Sequence, residues 1–65
     1  MKHIIDGKQV DIDWEKVELI EYYGSGESDW RVSGYDFKSD KEYFGDANYQ
    51  DDELIEVTGI EVVES

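Results

Sequence analysis

Carboxylates are the most abundant groups in this sequence that could do chemistry. The 65 residues include 18 Asp and Glu, against six Lys and Arg, one His and no Cys. Two carboxylates can hydrolyse a glycosidic bond when they lie about 5–9 Å apart across a substrate cleft. A chain this short seldom encloses such a cleft, so glycosidase chemistry is not expected.

The densest run of potential metal ligands extends from Asp46 to Glu53. It resembles the first half of an EF-hand calcium loop. That loop requires Gly at position six and Glu at position twelve, where this sequence has Asp51 and Val57. The spacing therefore predicts no dedicated metal site, and we expect no cofactor.

The sequence has no convincing pair of nucleophile and general base for nucleophilic catalysis. The single His, His3, lies beside the terminus, where we expect a solvated side chain. The absence of Cys removes thiol nucleophiles and Cys-ligated zinc. The stretch Gly24-Ser25-Gly26 does not fit the phosphate-binding patterns GxxxxGK[ST] and GxGxxG. We therefore expect a protein that is not an enzyme.

The net charge of −12 limits the class of partner. Phosphates are neutralised by Lys and Arg, so we expect no direct binding to nucleic acid and, for the same reason, none to anionic membranes. No signal peptide is expected, and no apolar run approaches the roughly 20 residues of a membrane span. With no Cys, the expected location is the cytoplasm of a bacterial or host cell.

High net charge is typical of disordered chains, but two features indicate a folded one. Aromatic residues make up 14% of the chain, and acids alternate with apolar residues as in a half-buried strand. We expect one small acidic domain over residues 1–65, marginal as a monomer at this length. A homodimer would complete so small a sheet.

The predicted fold is all-β, with five or six short strands in a curved antiparallel sheet or barrel. Asp6-Gly7 is a strong turn signal and predicts a hairpin over residues 3–12. Further strands are expected at 29–37, 41–49 and 54–63. A bulge at Thr58-Gly59 would bring Ile55, Val57, Ile60 and Val62 onto one face.

Residues 13–24 allow two interpretations. Asp13 as N-cap and Gly24 after the last turn would bound a helix over 14–23, which would make the fold α+β. The apolar residues scatter around the helical wheel, and the segment is rich in β-forming residues, so a strand is favoured. The predicted core consists of Trp14, Val17, Leu19, Trp30, Val32, Tyr43, Ile55, Val57, Ile60 and Val62.

Acids on these strands could form a surface for a basic partner. Residues i and i+2 on one strand face lie about 6.6–7 Å apart, a distance similar to that between successive phosphates of a DNA strand. An exposed Tyr among Glu18, Glu21 and Glu27 would suit an Arg-rich surface. The predicted partner-binding residues are Asp11, Asp13, Glu15, Glu18, Glu21, Tyr22, Glu27, Asp29, Asp51, Asp52 and Glu53.

Two functions follow as hypotheses. The first is a DNA-mimicking binding or inhibitor protein that occupies a basic, nucleic-acid-binding surface of a partner protein. In size, charge and lack of catalytic residues the chain is similar to small acidic proteins of bacteriophages, several of which mimic DNA or inhibit host defence enzymes. The alternative is a small phage-type structural or assembly protein whose acids only keep it soluble. One contiguous acidic face would favour the first hypothesis.

Overall fold

The computed structural model describes residues 1–63, which form six antiparallel strands. These are β1 (Lys2–Ile5), β2 (Lys8–Asp11), β3 (Asp13–Tyr22), β4 (Glu27–Asp36), β5 (Lys41–Gln50) and β6 (Glu53–Val63). β1 and β2 form a hairpin, and the others form a meander in the order β3-β4-β5-β6. The predicted all-β fold is confirmed. The helix over 14–23 and the closed barrel are wrong, because β3 is a strand and is not paired with β6 in this part of the chain.

Acidic residues form the tightest turns. Asp6 and Gly7 connect β1 to β2 with φ angles of 52° and 78°, the left-handed pair that a type I′ hairpin turn requires. Asp51 and Asp52 connect β5 to β6 in the same way, with φ angles of 51° and 65°. Asp tolerates this backbone region better than most residues, so these acids serve the turns.

In the second half of β3, side chains on the same face of the sheet are three residues apart in sequence instead of two. Lys16 pairs with Val32 but Glu18 pairs with Arg31, and a second shift falls between Leu19 and Glu21. Each shift is a bulge that adds one residue to β3. The bulges keep one set of side chains on each face of the sheet: Trp14, Lys16, Leu19 and Tyr22 on one, Asp13, Glu15, Glu18 and Glu21 on the other. This mixed spacing explains why the segment resembled a poor helix.

β6 contains the predicted bulge and a second one. The register with β5 shifts around Gly59, which has a φ of 61°, so the bulge at Thr58-Gly59 is confirmed. It leaves Val57 and Ile60 on the same side, both beside Gly45. A further shift removes Ile55 from that set. Ile55 is consequently 53% exposed, and its place in the predicted core is wrong.

The core lies on one side of the meander, called here the aromatic face because it carries Trp14, Trp30, Tyr43 and Tyr49. Val32, Ala47 and Tyr49 are buried at its centre, and Trp14, Trp30, Leu54 and Val57 pack around them. Tyr43 is also buried, so Val32, Tyr43, Trp14, Trp30 and Val57 were predicted correctly. Ile60 is half-buried.

Three other residues of the predicted core are exposed. Val17 is a bulge residue of β3, and Leu19 and Val62 lie on the edge strands β3 and β6, where no further strand covers them within the described residues. The sequence pattern shows which residues are apolar. It does not show that these strands are edges.

The hairpin covers one end of the aromatic face. Ile12, between β2 and β3, is fully buried, and a Cβ on Gly34 would overlap its Cγ2. Trp14 donates a hydrogen bond from Nε1 to Nε2 of His3 at 2.8 Å. His3 is therefore a half-buried packing residue, and the expectation of a solvated side chain is wrong.

Candidate functional site: an acidic sheet face

The second side of the meander carries a dense field of carboxylates. Because side chains alternate along a strand, the strand register assigns eleven acids and one base, Arg31, to this side. We call the set of acids the acidic face: Asp13, Glu15, Glu18, Glu21, Glu27, Asp29, Glu42, Asp46, Glu53, Glu56 and Glu61. The five lysines lie on the hairpin, in a turn or on the aromatic face.

The bulges preserve this acidic face along both edge strands. In β3, Glu18 pairs with Arg31 and Glu21 pairs with Asp29. Without the extra residue at each bulge, a one-residue change of register would turn these acids to the aromatic face. Neighbouring acids thus lie about 6.6–7 Å apart along a strand, and strands lie about 4.8 Å apart.

Hydrogen bonds fix two of the carboxylates where β4 begins, at one end of the face. Asn48 Nδ2 donates to Oε2 of Glu27 at 3.1 Å and to Oδ1 of Asp29 at 3.0 Å. The Tyr23 hydroxyl donates to Oδ2 of Asp29. The bonds from Asn48 and then Tyr23 lower the pKa of Asp29, and the bond to Asp29 raises the pKa of Tyr23 to about 12. These hydrogen bonds favour the ionised form of Asp29 and hold its carboxylate in one orientation.

The single base on this side neutralises little of the charge. Arg31 Nη1 lies 3.4 Å from Oδ1 of Asp46, and both side chains are about half exposed. An ion pair of this exposure contributes little to stability. The guanidinium also lies over the Phe44 ring, 5.6 Å from its centroid, so Arg31 is held to the sheet and the other acids remain in excess.

A shallow groove of about 270 Å³ lies within the acidic face. It is lined by Ile20, Asp29, Asp46, Ala47, Asn48, Glu56 and Thr58. Three carboxylates and the apolar side chain of Ile20 in one groove suit a basic side chain, which has a charged head and an apolar stem. Among residues 1–63 no three His, Asp or Glu side chains are arranged to hold a metal ion.

Seven of the predicted partner-binding residues lie together on the acidic face. They are Asp13, Glu15, Glu18, Glu21, Glu27, Asp29 and Glu53. The prediction correctly assumed that acids two residues apart share a face. Glu18 and Glu21 lie on this face beside the others only because of the two bulges of β3, which were not predicted.

The other four predicted residues lie elsewhere. Asp11 is in the hairpin and pairs with the N-terminal ammonium at 3.2 Å, and Asp51 and Asp52 form the β5–β6 turn. Tyr22 pairs with Ser28 and lies on the aromatic face, because the second bulge of β3 precedes it. The Tyr that contacts the acids is Tyr23.

Four acids of the face were missed by the sequence reasoning: Glu42, Asp46, Glu56 and Glu61. Glu42 and Asp46 lie in β5 on the opposite side of the strand from Tyr43, a residue of the predicted core, so the alternation alone could have identified them. The two in β6 lie on either side of the Gly59 bulge, and their common face is evident only from the register with β5.

Comparison of the chain with protein-family models, with curated proteins and with solved structures gives no match. Among the described residues there is no helix of the length and apolar character needed to cross a bilayer.

Proposed function

We propose that this protein is a non-enzymatic binding protein that works in the cytoplasm by placing its acidic face on the basic, nucleic-acid-binding surface of a partner protein. The observation that carries the proposal is the segregation of charge. Eleven acids and one base share one side of a four-stranded sheet. The core occupies the aromatic face, so acids that only keep the sheet soluble would also lie on this side, but solubility alone does not require eleven acids with a single base among them.

The length of the molecule and the number of acids on the face suit a surface that binds duplex nucleic acid. The long axis of the molecule is 37 Å, close to one turn of B-DNA at about 34–36 Å. Duplex of that length carries about 22 phosphates, one per 1.7 Å, and about half of them point to any one side. Eleven carboxylates on one face match that number, so the sheet can act as a DNA mimic.

Preorganisation supports the same function. The acids stand on a hydrogen-bonded sheet, and Asn48 and Tyr23 fix the carboxylates of Glu27 and Asp29 at one end of it. Part of the charge that a partner meets is therefore already in place, which reduces the ordering cost of association. The concentrated charge also speeds encounter with a basic surface, an effect that falls as salt rises. In this role the protein inhibits its partner by excluding nucleic acid, as an anti-defence protein of a phage would.

Competition with DNA tests the proposal. The protein is mixed with a panel of purified basic DNA- and RNA-binding enzymes at about 50 mM and about 300 mM salt, where the Debye length differs about 2.5-fold. We expect binding to at least one enzyme that weakens at the higher salt and is displaced by duplex DNA. The proposal would be contradicted by an affinity that does not change with salt, by a complex that persists in the presence of duplex DNA, or by no binding to any enzyme.

A second candidate function rests on the open edges of the sheet. β3 and β6 expose Val17, Ile20 and Ile55, which suits an assembly protein that pairs with itself or with a larger structure. Sedimentation separates the two candidates. A tight homodimer or ring that is insensitive to salt supports assembly, whereas a monomer that forms a salt-sensitive complex supports the acidic-face function.

A further inference from the structure

The aromatic face holds an ammonium group between two rings and a carboxylate. Nζ of Lys16 lies 4.8 Å from the centroid of the Trp30 ring and 4.6 Å from that of Tyr49. The same atom lies 3.1 Å from Oδ1 of Asp52. Cation–π attraction acts within about 6 Å of a ring centroid, so three groups converge on one cation.

The rings of this cage are fixed, whereas the cation arrives on a flexible side chain. Trp30 is held by a hydrogen bond from its Nε1 to Oγ of Ser28 at 2.9 Å, and Tyr49 is buried. Both stand on the central strands β4 and β5. Lys16 reaches over them from the edge strand β3, so it can leave without any change in the walls of the cage.

A groove of about 330 Å³ opens beside the cage. It is lined by Leu19, Tyr22, Gly26, Ser28, Trp30, Asp51 and Asp52. The exposed side chains of Leu19 and Tyr22 offer apolar contact, and the two Asp offer negative charge. A lysine side chain has the matching parts, an apolar stem and a cationic head.

We propose that Trp30, Tyr49 and Asp52 form a binding site for a lysine side chain of a partner protein, and that Lys16 occupies this site until the partner's lysine replaces it. The exchange is easy because the Asp52 side chain is 94% exposed, and an ion pair at such a carboxylate contributes little. The site lies on the side opposite to the acidic face. It goes beyond the proposed function and does not depend on it.

Replacing Lys16 tests the site directly. Lys16→Met keeps the stem that covers the core but removes the competing charge. The probe is the peptide acetyl-Gly-Lys-Gly-amide, and the readout is the NMR signal of the Trp30 indole N–H, with the Trp14 indole as internal reference. We expect the variant to bind the peptide about fivefold more tightly than the wild type does, the gain expected from freeing one cation–π site.

Two controls separate the site from general charge attraction. Lys41→Met makes the same charge change beside Asp36 on β4, and we expect it to leave the affinity for the peptide unchanged. Adding Asp52→Asn to Lys16→Met is expected to reverse the gain, and Asn fits the left-handed backbone at this position. A peptide with norleucine in place of lysine is expected not to bind.

The proposal is overturned if Lys16→Met and Lys41→Met increase the affinity equally, or if the norleucine peptide binds as well as the lysine peptide. Tighter binding of acetyl-Gly-Arg-Gly-amide would overturn the choice of lysine. Neutral substitutions on the acidic face leave the cage intact, so the Trp30 signal still responds to the lysine peptide if the proposed function fails.

Discussion

His3 and Trp14 join the hairpin to the meander through a hydrogen bond that requires a neutral imidazole. Nε2 of His3 accepts from the Trp14 indole, and the two rings meet edge to face with centroids 5.6 Å apart. Partial burial, and then the N-terminal ammonium, lower the pKa of His3 below its ordinary value of 6.5, against an opposing effect of Asp11. A lowered pKa means that the unfolded chain takes up the proton first as pH falls.

The free energy of unfolding should therefore depend on pH in a defined window. The His3 contribution is fully present above pH 6.5 and is lost as pH falls through 6.5 towards the lower pKa of the folded state. Urea denaturation between about pH 7.5 and pH 5.5 measures this loss. His is the one type of side chain whose ordinary pKa falls within this range. His3→Gln should flatten the slope in this window. An equal slope in the variant would show that His3 is not responsible.

Gly34 is required because the hairpin approaches the sheet closely at this residue. A Cβ here would overlap Cγ2 of Ile12 and would lie 3.0 Å from Cε3 of Trp14. We expect Gly34→Ala to lower the free energy of unfolding by about 1–3 kcal/mol, the usual cost of overpacking. Chemical denaturation measures this loss.

The control for Gly34 is its neighbour on the opposite face. Ser33→Ala should stay within about 0.5 kcal/mol of the wild type. Ile12→Ala removes the methyl group that the new Cβ would overlap, so Gly34→Ala should cost less in that background. A cost that is independent of Ile12 would show that steric overlap is not the cause.

At the scale of elements, the bulges of β3 and β6 give each face its composition. Val17 and Ile20 are the extra residues of β3. They interrupt the alternation so that the acids at 13, 15, 18 and 21 stay on one side. An extra residue in one strand also increases local twist and bend, so the same positions shape the open, curved sheet.

Deleting a bulge residue should be tolerated better than deleting a regularly paired one. Removal of Ile20 lets Leu19 and Glu21 keep their pairing with Trp30 and Asp29, and we expect a loss of stability of about 1 kcal/mol. Removal of Glu15 moves Asp13 and Trp14 to the wrong faces and should cost several times more. Thermal unfolding followed by circular dichroism compares the two deletions. Equal losses would contradict the bulge assignment.

Local patterns were enough to predict some elements and not others. The Asp6-Gly7 hairpin, the strands expected at 29–37 and 41–49 and the bulge near Gly59 each depend on residues adjacent in sequence, and the structure contains all of them. The exposure of Leu19 and Val62 depends on which strands are edges, which is set by pairing between distant segments. The bulge at Val17 has no Gly or other turn residue to mark it.

The candidate site was predictable to the same degree. Alternating acids such as Asp13 and Glu15 were placed together correctly, because the period of a strand is local. The continuation of the face into β6 could not be predicted, since Glu56 and Glu61 join it only through the register with β5. Tyr22 was misplaced because an unrecognised bulge precedes it.

At the scale of the whole molecule, charge concentrated on one face should weaken the fold at low salt. The net charge is −12, and acids at short range on a sheet repel one another. Raising sodium chloride from about 20 mM to about 300 mM shortens the Debye length, and we expect about 1 kcal/mol of added stability, or about 4–8 °C in Tm. Calorimetry at both concentrations measures this. A Tm that is constant or falls with salt would show that the acids do not repel one another appreciably.

The central claim is that the acidic face, and not the net charge, binds the partner. A face variant, Glu18→Gln with Glu56→Gln and Glu61→Gln, can be compared with an off-face variant, Asp6→Asn with Asp11→Asn and Asp40→Asn. Each changes the net charge from −12 to −9, and Asp6 and Asp40 have left-handed backbones that Asn also adopts.

The most direct measurement is the Kd of both variants for a DNA-binding protein that the wild type binds, at low and high salt. The face variant should bind about tenfold more weakly at low salt and should depend less on salt, since it has lost charges that meet the partner. The off-face variant should bind like the wild type. Equal weakening of both variants would mean that net charge alone is responsible, and weakening of the off-face variant alone would place the binding surface elsewhere.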